Sequence, residues 1–205
     1  LKMLEVSSNQ IYSETYKALR SIDIDWGIAK DSANLCKWLA THNQFFLGSI
    51  LKTADLYKSG NISTSVNDNT YDKPLSSALM GMVLVEYVAS NNRSWEGYLN
   101  SPKFLVAAMD LISHEQKCHL ELSDKHHNII AITDKEKLYV DLNNLSNKNE
   151  YFFLNITQKN KNVIHSIDLL PSNIKKINKF KRIYKLKNVK SYQHNLLHKI
   201  KTNTF

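Results

Sequence analysis

The densest run of reactive side chains is Ser113-His114-Glu115-Gln116-Lys117-Cys118-His119, followed by Glu121 and the pair His126-His127. His114 and Cys118 are four residues apart. On one continuous helix that spacing sets an imidazole and a thiolate on a single face, as in the His-Glu-x-x-His zinc motif, where the glutamate beside the first ligand serves as base. Here Cys118 stands where the second histidine would be. The apolar rhythm also changes at Gln116, which removes the i, i+4 geometry and turns Cys118 inward as a small core residue. The reading is against a metal at His114 and Cys118, and no cofactor is expected. His126-His127 falls in Asp124-Lys125-His126-His127-Asn128, a solvated hairpin turn.

Asp25-Trp26-Gly27-Ile28-Ala29 is the most distinctive short segment. Trp26 offers an aromatic surface on which a ligand or partner could stack, and Gly27 tolerates backbone geometry that other residues resist, so both are binding candidates. The plainer reading makes Asp25 a helix N-cap and packs Trp26 against the preceding helix. For proton transfer the candidates are His42, Asp25 and His114. No Ser/His/Asp order, Gly-rich phosphate loop or nucleophile elbow occurs in a chain with five glycines, which disfavours nucleotide-dependent enzymes.

The elements that must position these groups follow from periodicity. Ser7 to Gln10 is a capping signal for a helix over 8 to 21, with Tyr12, Tyr16 and Leu19 on one stripe. A second helix starts near Trp26 and carries Ile28, Leu35, Cys36 and Leu39. Asn43 is the expected cap of a third, with Leu47, Ile50, Leu51 and Ala54, stopping at Ser59-Gly60. Residues 61 to 75 are polar and aperiodic and read as a mobile loop. Ser77 to Ala89 reads as a buried helix, and Ser101-Pro102 opens another that ends near Glu115, with Ser101 as cap.

After residue 116 the period falls to two. Lys117 to Ser123 places Cys118, Leu120 and Leu122 on one face and His119 and Glu121 on the other. Similar runs are Asn128 to Thr133, Lys137 to Leu142, Tyr151 to Thr157 and Val163 to Leu169, joined by short polar turns that imply an antiparallel meander. Pro171-Ser172 opens a basic helix with Ile174, Ile177 and Phe180, and 183 to 205 is read as helix, edge strand or tail. The expected architecture is α+β: an N-terminal helical bundle packed on an antiparallel β-meander, with a basic C-terminal helix or tail. One domain over 1–205 is expected, mainly helical over 1–115, sheet over 116–170 and basic over 171–205.

Composition bounds the function. The chain has 205 residues with a hydrophobic share of 42%, ordinary for a folded domain. No apolar run reaches the roughly eighteen residues of a membrane span, so a cytoplasmic protein without membrane contact is expected. Cys36 and Cys118 have no paired spacing and read as free thiols. The formal net charge is +8, yet the first 171 residues hold 17 basic against 19 acidic residues, so the positive excess lies in the tail. A basic tail attracts nucleic acid or an acidic partner. However, only Arg20, Arg93 and Arg182 are arginines, whereas phosphate and base recognition favours the guanidinium fork. The abundance of Lys, Asn and Ile also fits an A/T-rich genome, so nucleic-acid binding is not the expected function.

Val6-Ser7-Ser8-Asn9-Gln10-Ile11, Lys17-Ala18, Trp26-Gly27-Ile28-Ala29 and Lys37-Trp38-Leu39 resemble the opening of a bacterial family known as a domain of unknown function. The resemblance covers about the first 45 residues. That family's Tyr-Val-Pro and Ser-Arg ending is represented here by Tyr184 alone. The same helical opening is distantly similar to the N-terminal helices of the malate/L-lactate dehydrogenase family that does not use a Rossmann fold. Its Ser-His-Gly signature is replaced by Thr41-His42-Asn43, so His42 is only the position at which its hydride-transfer chemistry would be tested.

Three functions follow as expectations. The first is a bacterial non-catalytic accessory or binding subunit that works with a metabolic enzyme, suggested by the lack of an acid/base constellation and by an apolar-rich helical half suited to a protein partner. The second is a small-molecule enzyme with a site between the helical half and the sheet, using His42, Asp25 or His114. The third is nucleic-acid binding through the tail. The residues do not specify an oligomeric state.

Overall fold

The fold is α+β. The computed structural model describes residues 5–135, 137–142, 145, 148–157, 175–176 and 183–185. The chain divides into two compact units, Leu1–Ile62 with Lys179–Phe205, and Ser63–Asn178.

In the first unit, β1 (Glu5–Ser7) leads into α1 (Ser8–Arg20), followed by α2 (Trp26–Thr41) and α3 (Leu47–Lys58). Each start has a local cause. The Gln10 N–H donates to Ser7 Oγ at 3.1 Å, and the Gly27 N–H donates to Asp25 Oδ1 at 2.8 Å, so Ser7 and Asp25 cap α1 and α2. The two helices form the closely packed pair of this unit. Ile11, Ala18 and Leu19 of α1 are buried, as are Ala29, Ala33, Cys36 and Leu39 of α2, and small residues on α2 permit close approach. Asn43 does not cap α3. It lies at φ 58° just past the end of α2, a left-handed conformation that asparagine tolerates, and α3 begins after Phe46 without a side-chain cap.

The second unit contains β2 (Leu75–Ser76), α4 (Ser77–Asn91), β3 (Trp95–Asn100), α5 (Lys103–Gln116), β4 (Leu120–Asp124), β5 (Ile129–Asp134), β6 (Lys137–Val140), β7 (Glu150–Ile156) and β8 (Lys175–Lys176). Its sheet has the order β2-β3-β7-β4-β5-β6-β8. The expected meander holds for β4, β5 and β6, which are sequential antiparallel neighbours. It fails at β7, which lies between β3 and β4 and is antiparallel to both. The reason is that β3 offers an edge to which β7 can bond while also bonding to β4, so that its backbone is paired on both sides. β2 is parallel to β3.

Helices α4 and α5 pack on each other; α4 also contacts β2, β3 and β7, and α5 contacts β4, β5 and β6. The face of the sheet toward them carries Leu99, Leu120, Leu122, Ala131, Phe152 and Leu154, all buried. Ser76 Oγ accepts the Leu79 N–H at 3.2 Å and starts α4. Ser101 is not the cap of α5. It sits at φ 58°, and Pro102 holds the N-cap position instead.

Residues 61–75 are not free of the sheet. The Ser63 N–H donates to Pro74 O at 2.9 Å, Trp95 Nε1 donates to Val66 O at 2.9 Å, and the Tyr98 N–H donates to Asn69 Oδ1 at 2.8 Å. Gly97 makes this possible: a Cβ there would lie 1.9 Å from Asn69 Oδ1. The expected basic helix also meets a correction. Lys175–Lys176 pair with Val140 and Tyr139 instead, whereas β9 (Ile183–Lys185), in the stretch read as helix, edge strand or tail, pairs antiparallel with β1 as an edge strand. The free edges of β6 and β1 supply backbone partners that a helix would not use. The expected strand Val163 to Leu169, and Ile174, Ile177 and Phe180, lie outside the described residues.

Candidate functional site

Two of the sequence candidates, Asp25 and His42, stand at opposite ends of α2. Asp25 caps α2 at one end, with Trp26 beside it 64% exposed. His42 is the C-cap at the other end, where its ring stacks on Trp38 at a centroid distance of 3.8 Å and its Nδ1 lies 2.8 Å from Trp38 O. With a rise of about 1.5 Å per residue, Asp25 and His42 stand roughly 25 Å apart along one helix. They cannot act on the same proton. At Gly27 the neighbour of an added Cβ would be Asp25 Oδ1 at 3.2 Å, so the glycine gives the capping carboxylate room.

His114 belongs to the other unit and is exposed in the last turn of α5. Lys117 follows at φ 54°, a left-handed residue that ends the helix before Cys118. The i, i+4 relation of His114 to Cys118 is therefore lost, because Cys118 lies beyond the end of the helix that carries His114. Cys118 is half-buried rather than an inward core residue, since β4 begins only at Leu120, and burial raises its thiol pKa. No group of three His, Cys, Asp or Glu that could hold a metal ion occurs among the described residues.

His119, assigned by alternation to a solvent face, is instead 4% exposed. Its Nδ1 lies 3.6 Å from Asp134 Oδ1, an ion pair only when the imidazole is protonated. Neither ring nitrogen has a hydrogen-bond partner among the described residues. Its carbonyl continues the β4–β7 ladder, accepting the Thr157 N–H at 2.9 Å.

The feature with the most chemistry on display is a strip of aromatic rings on the sheet face opposite α4 and α5. Tyr98 of β3 is opposite Tyr151 of β7, and Phe153 follows Tyr151 two residues on, so the pleat sets all three on one face. Tyr71, carried by the anchored loop, meets Tyr98 at 5.6 Å; Tyr98 meets Tyr151 at 5.0 Å; Tyr151 meets Phe153 at 5.4 Å, each edge to face. His127 stacks on Phe153 at 4.5 Å. Tyr98, Tyr151 and Phe153 are half-exposed and Tyr71 is 61% exposed.

Two local interactions act along the strip. Asp124 organises the β4–β5 turn that presents His127. Its Oδ1 accepts the His126 and Asn128 N–H groups at 2.8 and 2.9 Å, and its Oδ2 accepts Asn128 Nδ2 at 2.9 Å. Burial works to raise this carboxyl, but the bonds from Asn128 and His126 together outweigh it and hold it below its usual range. In the middle of the strip the Tyr151 phenol is pushed up, first by burial and then by the Glu96 carboxylate to which its hydroxyl donates.

Sequence reading passed over this strip because its rings are far apart in the chain. The available signal was Tyr151-x-Phe153 and Glu96-x-Tyr98, aromatic residues at strand positions where an open sheet face ordinarily carries polar ones.

No family model and no curated protein matches the sequence. Among solved structures, the crystal structure of malate dehydrogenase from Entamoeba histolytica is similar at 11% identity with a TM-score of 0.41. The likeness covers 68% of this chain and 46% of that one, so the chain spans about half the length of that protein.

Proposed function

We propose that the chain is a bacterial, cytoplasmic, non-catalytic binding subunit that works beside a metabolic enzyme, and that it meets its partner through the aromatic strip. The observation that carries this reading is the set of linked rings, Tyr71, Tyr98, Tyr151 and Phe153, left partly open on a strand face. Aromatic residues are enriched at the centres of protein interfaces, where each buries a large area at little entropic cost. A contiguous group of them on a sheet surface is the pattern that marks an interaction site. The separation of Asp25 from His42 adds support, because it removes one pair of groups that an enzyme of this chain could have used.

The test is purification of the tagged chain from native lysate beside a Tyr98→Ala/Tyr151→Ala variant of equal thermal stability. A metabolic enzyme recovered in fixed stoichiometry with the parent chain, and lost with the variant, is the expected result. Recovery of the free chain alone, or a partner retained equally by both, would sink the proposal.

A further inference from the structure

We infer that the group received by the aromatic strip is cationic, an arginine-bearing extended segment of the protein partner; this rests on the docking role proposed above. In a chain with 27 basic and 19 acidic residues, the three adjacent strands β3, β7 and β4 contain Glu96, Glu121, Asp124 and Glu150 and no Lys or Arg. Basic residues stand beyond the strand ends, as Arg93, Lys125 and Lys148 do. Asp124 is committed to its turn. Glu96 and Glu121 share the face of the rings, since Glu96 is in register with Phe153 and Glu121 with Asn155.

This combination selects a guanidinium. The negative faces of tyrosine and phenylalanine attract a cation, and arginine adds planar stacking and a bidentate fork for carboxylate. Such a pairing occurs among the described residues: the Arg93 guanidinium lies 6.0 Å from the Tyr87 ring centroid and donates to its hydroxyl at 3.0 Å. Glu96 and Glu121 lie on strands either side of β7 and two residues apart in register. Strand spacing and rise separate them by about 12 Å, the reach between side chains three or four residues apart in an extended segment. The sheet face thus has counter-charges flanking Phe153 at a spacing that an extended chain with two arginines would match.

The experiment measures fluorescence anisotropy of labelled hexa-arginine, hexa-lysine and hexa-glutamate peptides against the full chain at physiological salt. Hexa-arginine should bind more tightly than hexa-lysine, and hexa-glutamate should not compete. The surface variant Glu96→Gln/Glu121→Gln should weaken hexa-arginine at least tenfold, and Tyr98→Leu should weaken it with the fold retained by circular dichroism. Hexa-arginine binding that is absent, or is unchanged in both variants, overturns the inference. A lysate partner lost with Tyr98→Ala/Tyr151→Ala but indifferent to Glu96→Gln/Glu121→Gln would leave the docking surface standing and remove its preference for cations.

Discussion

Replacing Gly97 by alanine should disconnect the loop before β2 from the sheet, and the size of the effect follows from two hydrogen bonds. An added Cβ would lie 1.9 Å from Asn69 Oδ1, 2.7 Å from its Cγ and 2.9 Å from its Nδ2. The carboxamide must therefore leave. With it go the bond from the Tyr98 N–H at 2.8 Å and the bond from Asn69 Nδ2 to Val66 O at 3.1 Å. At a net value of about 0.5 to 1.5 kcal/mol each, the expected loss is about 1 to 3 kcal/mol. Asn69→Ala removes the same two bonds and should cost somewhat less, because Gly97→Ala also strains a backbone at φ 158°. In the Asn69→Ala background, alanine at position 97 has no carboxamide to displace and keeps only that backbone cost, so the double variant should lose clearly less than the sum of the two single ones. Urea unfolding, followed by the fluorescence of Trp95, whose Nε1 bonds to the same loop at Val66 O, measures all three variants. Additive losses in this cycle would refute the reasoning, because they would mean that position 97 and Asn69 act independently.

Three other outcomes are expected. Lys117→Gly should raise the thermal midpoint, worth about 0.5 to 1 kcal/mol, since glycine adopts the φ of 54° at the end of α5 without the penalty borne by lysine; an unchanged or lower midpoint counts against this. Asp124→Ala should destabilise the chain at neutral pH. Because the folded carboxyl is held low, its contribution is full above the unfolded value near ~4 and is lost as pH falls through the folded value, so the gap between parent and variant should close in acid. A pH-independent gap would show that the turn draws nothing from the ionised form. Finally, a thiol reagent should modify Cys118 well before Cys36, which is fully buried and whose thiol pKa is raised by that burial; equal rates in native protein would contradict the packing of α2.

The α+β class was legible because its signals are local. Ser7 and Asp25 cap the helices they were expected to cap, and the alternation of Leu120 and Leu122 survives as a buried face. What escaped was decided by distant partners. β3 reads poorly as Trp-Glu-Gly-Tyr-Leu-Asn because a glycine interrupts it, and that glycine is explained only by Asn69, 28 positions earlier. No period in the sequence says that β7 will choose β3 and β4 over β6. His119 was misplaced because strand alternation was extended one residue before the strand begins, beyond the left-handed turn at Lys117. The aromatic strip shares this cause, since Tyr71, Tyr98 and Tyr151 become neighbours only once the loop and both strands are in register.

The position of β7 also sets an order of assembly. β3 and β4 are not bonded to each other, so until residues 150–156 have left the ribosome, each presents an open row of peptide groups. The β4-β5-β6 hairpins and the pieces built on β3 can form early, but they stay separate until the late strand slides between them and closes the ladder. A chain stalled before Glu150 would leave both of these edges unsatisfied, a species for chaperones to hold.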